Sequence, residues 1–156
     1  MGKSVIKEFL KHIQLFKGLN DSQLEAICEK VKVENFPLNS MVFNENNIRQ
    51  NLFLIYEGEV ELFKRTPYGG EKRLSIFSKY DFLGEGALMD DSPHSTSARA
   101  TINSTIVILT RNSFKELMKE QNETALAILS SIGRVISRRM SAANTRVINV
   151  AAQYQS

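Results

Sequence analysis

The chain has 156 residues, of which 42% are hydrophobic and 24% charged, the balance of one globular domain and not of a disordered or membrane-embedded chain. A formal net charge of +3 is too small to argue for nucleic acid by itself, and a single cysteine, Cys28, excludes an internal disulfide framework and any cysteine-based zinc site. Two histidines, His12 and His94, do not make a histidine metal cage, so no metal and no cofactor is expected. The first residues show neither an apolar run of signal-peptide length nor a small-residue cleavage site, and no stretch approaches 18 uninterrupted apolar residues. A soluble cytoplasmic protein with a reduced, buried Cys28 and no membrane partner is the expectation.

Residues 1–30 read as an N-terminal helical segment. Ile6, Phe9, Leu10 and Ile13, then Leu24, Ile27, Cys28 and Val31, recur at three- and four-residue steps. A Gly18 stop and an Asn/Asp/Ser start separate two short helices, with Ser22 and Glu25 spaced as a capping box. From 31 to 110 the period falls to two. Val60 and Leu62 alternate with Glu59, Glu61 and Lys64, while Leu74 and Ile76 alternate with Arg73 and Ser75; the run from Thr105 to Thr110 has the continuous apolar character of a strand buried on both faces. Turn signals recur at Pro37–Asn39, Glu57–Gly58, Thr66–Gly70 and Asp90–Pro93, a spacing that predicts a small antiparallel barrel or jelly roll.

The segment 111–156 is helical again. Ser113 is placed to cap a short helix over 114–120, and a long helix follows over about 122–151. Its Ile132, Ile136, Met140, Ala143, Val147 and Val150 form a near-heptad seam. A helix of that length extends roughly 40 Å at 1.5 Å per residue, further than a barrel of this size covers. Its stripe therefore predicts a dimer with a second copy, the alternative being that it packs only on its own barrel. Arg134, Arg138, Arg139 and Arg146, with no acid after Glu123, read as a solvated flank before they read as a nucleic-acid face.

One segment, 81–98, behaves unlike the rest. Gly84 and Gly86 bracket Glu85 ahead of a short apolar run ended by Asp90–Pro93. A glycine-rich entry to a helical turn aims free backbone N–H groups at one point, a ready anion site. Glu85 would repel an anion directly and fits better as an acceptor for a sugar hydroxyl, as acidic residues do beside other phosphate-binding turns. Ser95, Thr96 and Ser97 add hydroxyls nearby.

Across nearly its whole length the chain resembles the cyclic nucleotide-binding domain of catabolite-activator-type regulators, cyclic-nucleotide-dependent kinases and cyclic-nucleotide-gated channels. The resemblance is carried by Leu15–Leu19, by Phe53–Val60 and above all by Asp81–Leu88 followed by Pro93. It implies one mostly β domain over 1–156: a double-stranded β-helix (jelly-roll) barrel with a cassette at 81–98, an N-terminal helical segment, and a short helix plus a long C-terminal dimerisation helix. It further implies that Gly84 and the backbone at Gly86 and Ala87 face a cyclic phosphate and that Glu85 accepts from the ribose 2′-hydroxyl. Ser95 and Thr96 would contact phosphate and base, and Asn144 would reach the purine. Three positions depart from the family pattern: Gly86 where an aliphatic residue is usual, Tyr80 where Gly is usual, and His94 where an arginine pairs with the phosphate. Neutral histidine offers one donor and no charge, a loss of about 1.5–3 kcal/mol. Arg99 is a possible substitute, but it lies on the opposite face of a strand from His94.

The leading expectation is a non-catalytic sensor of a cyclic nucleotide, cAMP first, relaying occupancy through the last helix of a homodimer without binding nucleic acid itself. The runner-up is the same scaffold with a degenerate pocket, acting through protein contacts, or a transcription-regulator fragment lacking its DNA-binding domain. An enzyme is disfavoured because no nucleophile–base pair stands out.

Overall fold

The computed structural model describes residues 1–153; residues 154–156, the tail of the expected helical segment, lie outside the described residues. Two helices, α1 (Lys3–Lys11) and α2 (Asp21–Cys28), precede β1 (Val31–Phe36), β2 (Met41–Phe43), β3 (Asn51–Glu57), β4 (Val60–Arg65), β5 (Glu71–Phe77), β6 (Phe82–Leu83), β7 (Ser97–Ala100) and β8 (Ser104–Thr110). Then come α3 (Arg111–Glu120) and α4 (Asn122–Gln153). The strands form two antiparallel sheets in the orders β1-β8-β3-β6 and β2-β7-β4-β5, the expected jelly roll.

Strands β3 and β8 hold the layers together because both faces of each are apolar. Leu52, Leu54, Val107 and Leu109 point outward and meet Phe9, Ile27, Phe114 and Ile128 of the helices. Phe53, Ile55, Ile106 and Ile108 point inward and meet Phe43, Val60, Leu83 and Ala98 of the barrel. Each such buried side chain contributes about 1.5–3 kcal/mol of burial. One pair of strands therefore fixes the helical layer and the barrel interior relative to each other.

The structure corrects several local readings. The α2 capping box is built by Asn20 and Gln23, two residues ahead of the Ser22–Glu25 pair: the Asn20 side chain accepts from the Gln23 amide, and the Gln23 side chain accepts from the Asn20 amide, both at 2.9 Å. Thr110, not Ser113, caps α3, its hydroxyl accepting from the Ser113 amide at 3.0 Å. On β5 the alternation is inverted: Leu74 and Ile76 are each 46% exposed, whereas Phe77 packs inward opposite Val60. Glu61, expected outside among the polar residues of β4, is on the outer face yet buried, covered by Arg99 and Arg73, which hold its carboxyl below the ordinary range.

α4 divides into two halves. Ala125, Ile128, Ile132 and Val135 are buried against the chain's own core, and from 137 to 153 almost every residue is exposed, over roughly 25 Å of helix. Ile132 is fully buried and so belongs to the core, not to a dimer seam; Ile136 packs partly on the same core. Met140, Ala143, Val147 and Val150 stay exposed. Ile132→Ala should lower unfolding stability by about 2–5 kcal/mol through the cavity it leaves. Urea denaturation reads this, and an unchanged midpoint would remove Ile132 from the core.

Candidate functional site

The site is built where β6 runs out. Gly84 has a φ of +77°, and a Cβ there would meet the Asn51 carbonyl oxygen at 2.7 Å, so both conformation and space require glycine. The chain then makes one 3-10 turn over Glu85–Leu88, in which the Ala87 amide donates to the Gly84 carbonyl at 3.0 Å. The amides of Glu85 and Gly86 precede that first bond and have no partner within the turn. Just upstream, Tyr80 has a φ of +73°, which explains why glycine suits that place; Tyr80 offsets the strain by stacking on Phe9 with ring centroids 5.7 Å apart.

Beyond the turn the cassette is bound edge-on to the loop between β2 and β3. Asn46 donates to the His94 carbonyl, His94 to the Asn47 carbonyl and Arg49 to the Ser92 carbonyl, while Ile48 bridges to Pro93. Arg111, at the start of α3, donates to the backbone carbonyls of Ala87, Asp90 and Arg49.

These elements enclose a cavity of about 250 Å³. Gly84, Glu85, Gly86, His94, Ser95 and Thr96 line it as the sequence predicts. Phe43, Leu62, Phe77 and Leu83 give it apolar walls, and α4 closes one side with Ile136 and Arg139. Enclosing pockets for small ligands are typically about 300–1,000 Å³, so this one is tight. On the α4 side Arg139 Nη1 donates to Glu85 Oε1 at 2.6 Å, with its guanidinium over Phe82.

Two predicted residues are not brought here. Ala87 is fully buried, its amide taken by Gly84 and its carbonyl by Arg111, so it supports the turn from behind. Asn144 is exposed on α4, five residues and roughly 7.5 Å beyond Arg139, and does not line the cavity. Arg99 is on the outer face of β7, bonded to Glu61 and Glu71; His94 precedes that strand, so strand alternation does not relate the two, and the ion pairs keep Arg99 away from the cavity. Conversely, two lining residues escaped the sequence reading of the pocket, Arg49 and Arg139. Arg49 Nε donates to the Ser92 carbonyl at 3.1 Å and Nη2 to Asp90 Oδ1 at 2.9 Å; a Cβ on Gly86 would collide with Nη1. No run or spacing marks Arg49, because its place comes from the pairing of 46–49 with 92–94. Bonds from Ser92, with help from Arg49 and Arg111, hold the Asp90 carboxyl below its usual range.

His94 is buried and stacked on Phe43, ring centroids 3.9 Å apart and planes 8° from parallel. Burial, then the charge of Arg49, push its pKa down from 6.5 to about 4, so it is neutral near pH 7. Any strengthening of anion binding by imidazole protonation therefore moves well below pH 6.

Residues 33–121, more than half of the chain, match the family model described as the cyclic nucleotide-binding domain, and the chain belongs to that family. It is 26% identical over 143 residues to the CRP-like cAMP-activated global transcriptional regulator of Mycobacterium tuberculosis, covering 92% of this chain and 62% of that one. It is 25% identical over 116 residues to the cAMP-dependent protein kinase regulatory subunit of Hypocrea atroviridis, covering 74% and 24%. The chain thus spans less than two thirds of either relative's length. Among solved structures, a cyclic nucleotide-binding domain from Methylobacillus flagellatus superimposes with a TM-score of 0.80 at 20% identity, over 94% of this chain and 82% of that one. The catabolite activator protein of Thermus thermophilus gives 0.78 at 22%, over 88% and 63%. At these identities the superpositions show the fold.

Folding moves the His94 pKa down, so between about pH 6.5 and 4 the unfolded chain binds a proton that the folded chain refuses. The stability this group supports is whole above pH 6.5 and is lost as pH falls toward 4. Melting temperatures recorded across that window should fall, and the fall should be shallower in His94→Gln; identical profiles for the two proteins would refute a buried neutral imidazole.

Proposed function

We propose that this domain is a non-catalytic cytoplasmic sensor that binds a purine cyclic nucleotide, cAMP before cGMP, and relays occupancy through α4. One observation carries the reading: Glu85 and Gly86, whose amides have no partner within the turn, line one cavity together with Ser95 and Thr96, and α4 closes one side of it. A cyclic phosphodiester is a monoanion on a ribose, which asks for N–H donors beside a hydroxyl acceptor. The turn supplies the donors and Glu85 the acceptor. The relatives named for cAMP support this choice of ligand.

Relay follows from Arg139. The carboxylate that a ribose hydroxyl needs is the one Arg139 holds, so ligand entry and the α4 contact act on the same group. Arg139 sits at the hinge between the packed and exposed halves of α4. Beyond it, Met140, Val147 and Val150 present 53–68% of their surface to solvent, an apolar stripe suited to the same helix of a second copy. A second reading, a scaffold that does not take cAMP, is favoured by one observation, the neutral His94 at the cassette's phosphate side.

Glu85→Ala should weaken cAMP binding by about 10- to 150-fold, the range of a charge-assisted hydrogen bond. Titration calorimetry of both proteins with cAMP and cGMP measures this; equal affinities would reject the ribose role, and wild-type protein that binds neither nucleotide favours the scaffold reading. Met140→Asp should turn a dimer into a monomer in sedimentation velocity, and an unaltered sedimentation coefficient would remove the helix pair.

A further inference from the structure

Among the described residues, Arg49 and Arg139 are the two cations along the cavity wall. Arg139 is engaged with Glu85 and in effect neutralises it. Arg49 is differently placed. Its Nε and Nη2 are held by Ser92 and Asp90, which fixes the guanidinium plane and leaves Nη1 over Gly86, at the open amides of the turn. The geometry points to Arg49 as the phosphate-pairing cation of this site, reaching the ligand from the β2–β3 loop across Gly86 in place of an arginine within the cassette.

This inference rests on the nucleotide reading above and names the group on which it depends. An anion seated on the amides of Glu85 and Gly86 lies beside a carboxylate, and a second cation is needed to make that place attractive. The Arg49 side chain is 27% exposed, so its field is less screened than that of a surface arginine, whereas its partner Asp90 is 55% exposed. The guanidinium is already oriented by two bonds, so little further freedom is lost when a phosphate oxygen replaces solvent on Nη1. Gly86 is what makes room: any side chain there would occupy the volume of Nη1. A glycine at 86 and an uncharged residue at 94 are then two sides of one arrangement, in which the positive charge comes from outside the cassette.

The test is calorimetric titration of the whole chain with cAMP and with adenosine, which keeps base and ribose but has no phosphate. Arg49→Gln should lower cAMP affinity about 10- to 150-fold, the loss of a charge-assisted bond, and leave adenosine affinity within about twofold. Adding His94→Arg to that variant should restore cAMP affinity by tenfold or more. If Arg49→Gln binds cAMP as the wild type does, Arg49 is not the phosphate partner and the nucleotide reading stands without it. A parallel loss of cAMP and adenosine makes Arg49 a brace of the loop and overturns the assignment. Wild-type protein that binds no cyclic nucleotide overturns the reading beneath it.

Discussion

The guanidinium of Arg111 joins three backbone carbonyls from two distant stretches of chain: Ala87 and Asp90 of the cassette and Arg49 of the β2–β3 loop. Two of these bonds are part-buried and the one to Asp90 is exposed, and one planar cation with a fork of donors serves all three. Because Arg111 is also the first residue of α3, which packs on α4, the cassette, the loop and the C-terminal helices are tied at one point. The cavity keeps its shape through this tie and through Gly84, whose lack of a side chain lets the turn lie against β3.

From that point the site divides its chemistry by element. The turn provides amides, the loop brings Arg49, β4 and β5 line the wall with Leu62 and Phe77, and α4 closes it with Arg139. The carboxylate of Glu85 is held by Arg139 of α4, while Arg49 of the loop is bonded to Ser92 and Asp90 at the other end of the cassette. That ion pair is the direct link between the cassette turn and α4.

Much of the fold was legible because its signals are local. The apolar runs of β3 and β8 announced burial on both faces, and the glycine-rich stretch at 84–86 announced a turn with open amides. The misreadings share a cause. Asn20 with Gln23 and Ser22 with Glu25 both satisfy capping-box spacing, and only the helix start decides between them. On β5 a pattern of period two says that faces differ but not which one meets the core, and the pairing of Phe77 with Val60 settles it. Ile132 fits both a heptad seam and a core stripe, since the two periods differ little over three turns. Arg49 was out of reach for another reason: its meaning lies in pairing with residues more than forty positions away, which no window along the chain contains.

The outer half of α4 carries Arg138 and Arg146, and no acid follows Glu123. Any neighbour that settles along its apolar stripe therefore approaches a positively charged rod. Two such rods lying side by side would repel over about 10 Å at 0.1 M ionic strength. Raising the ionic strength would weaken that repulsion.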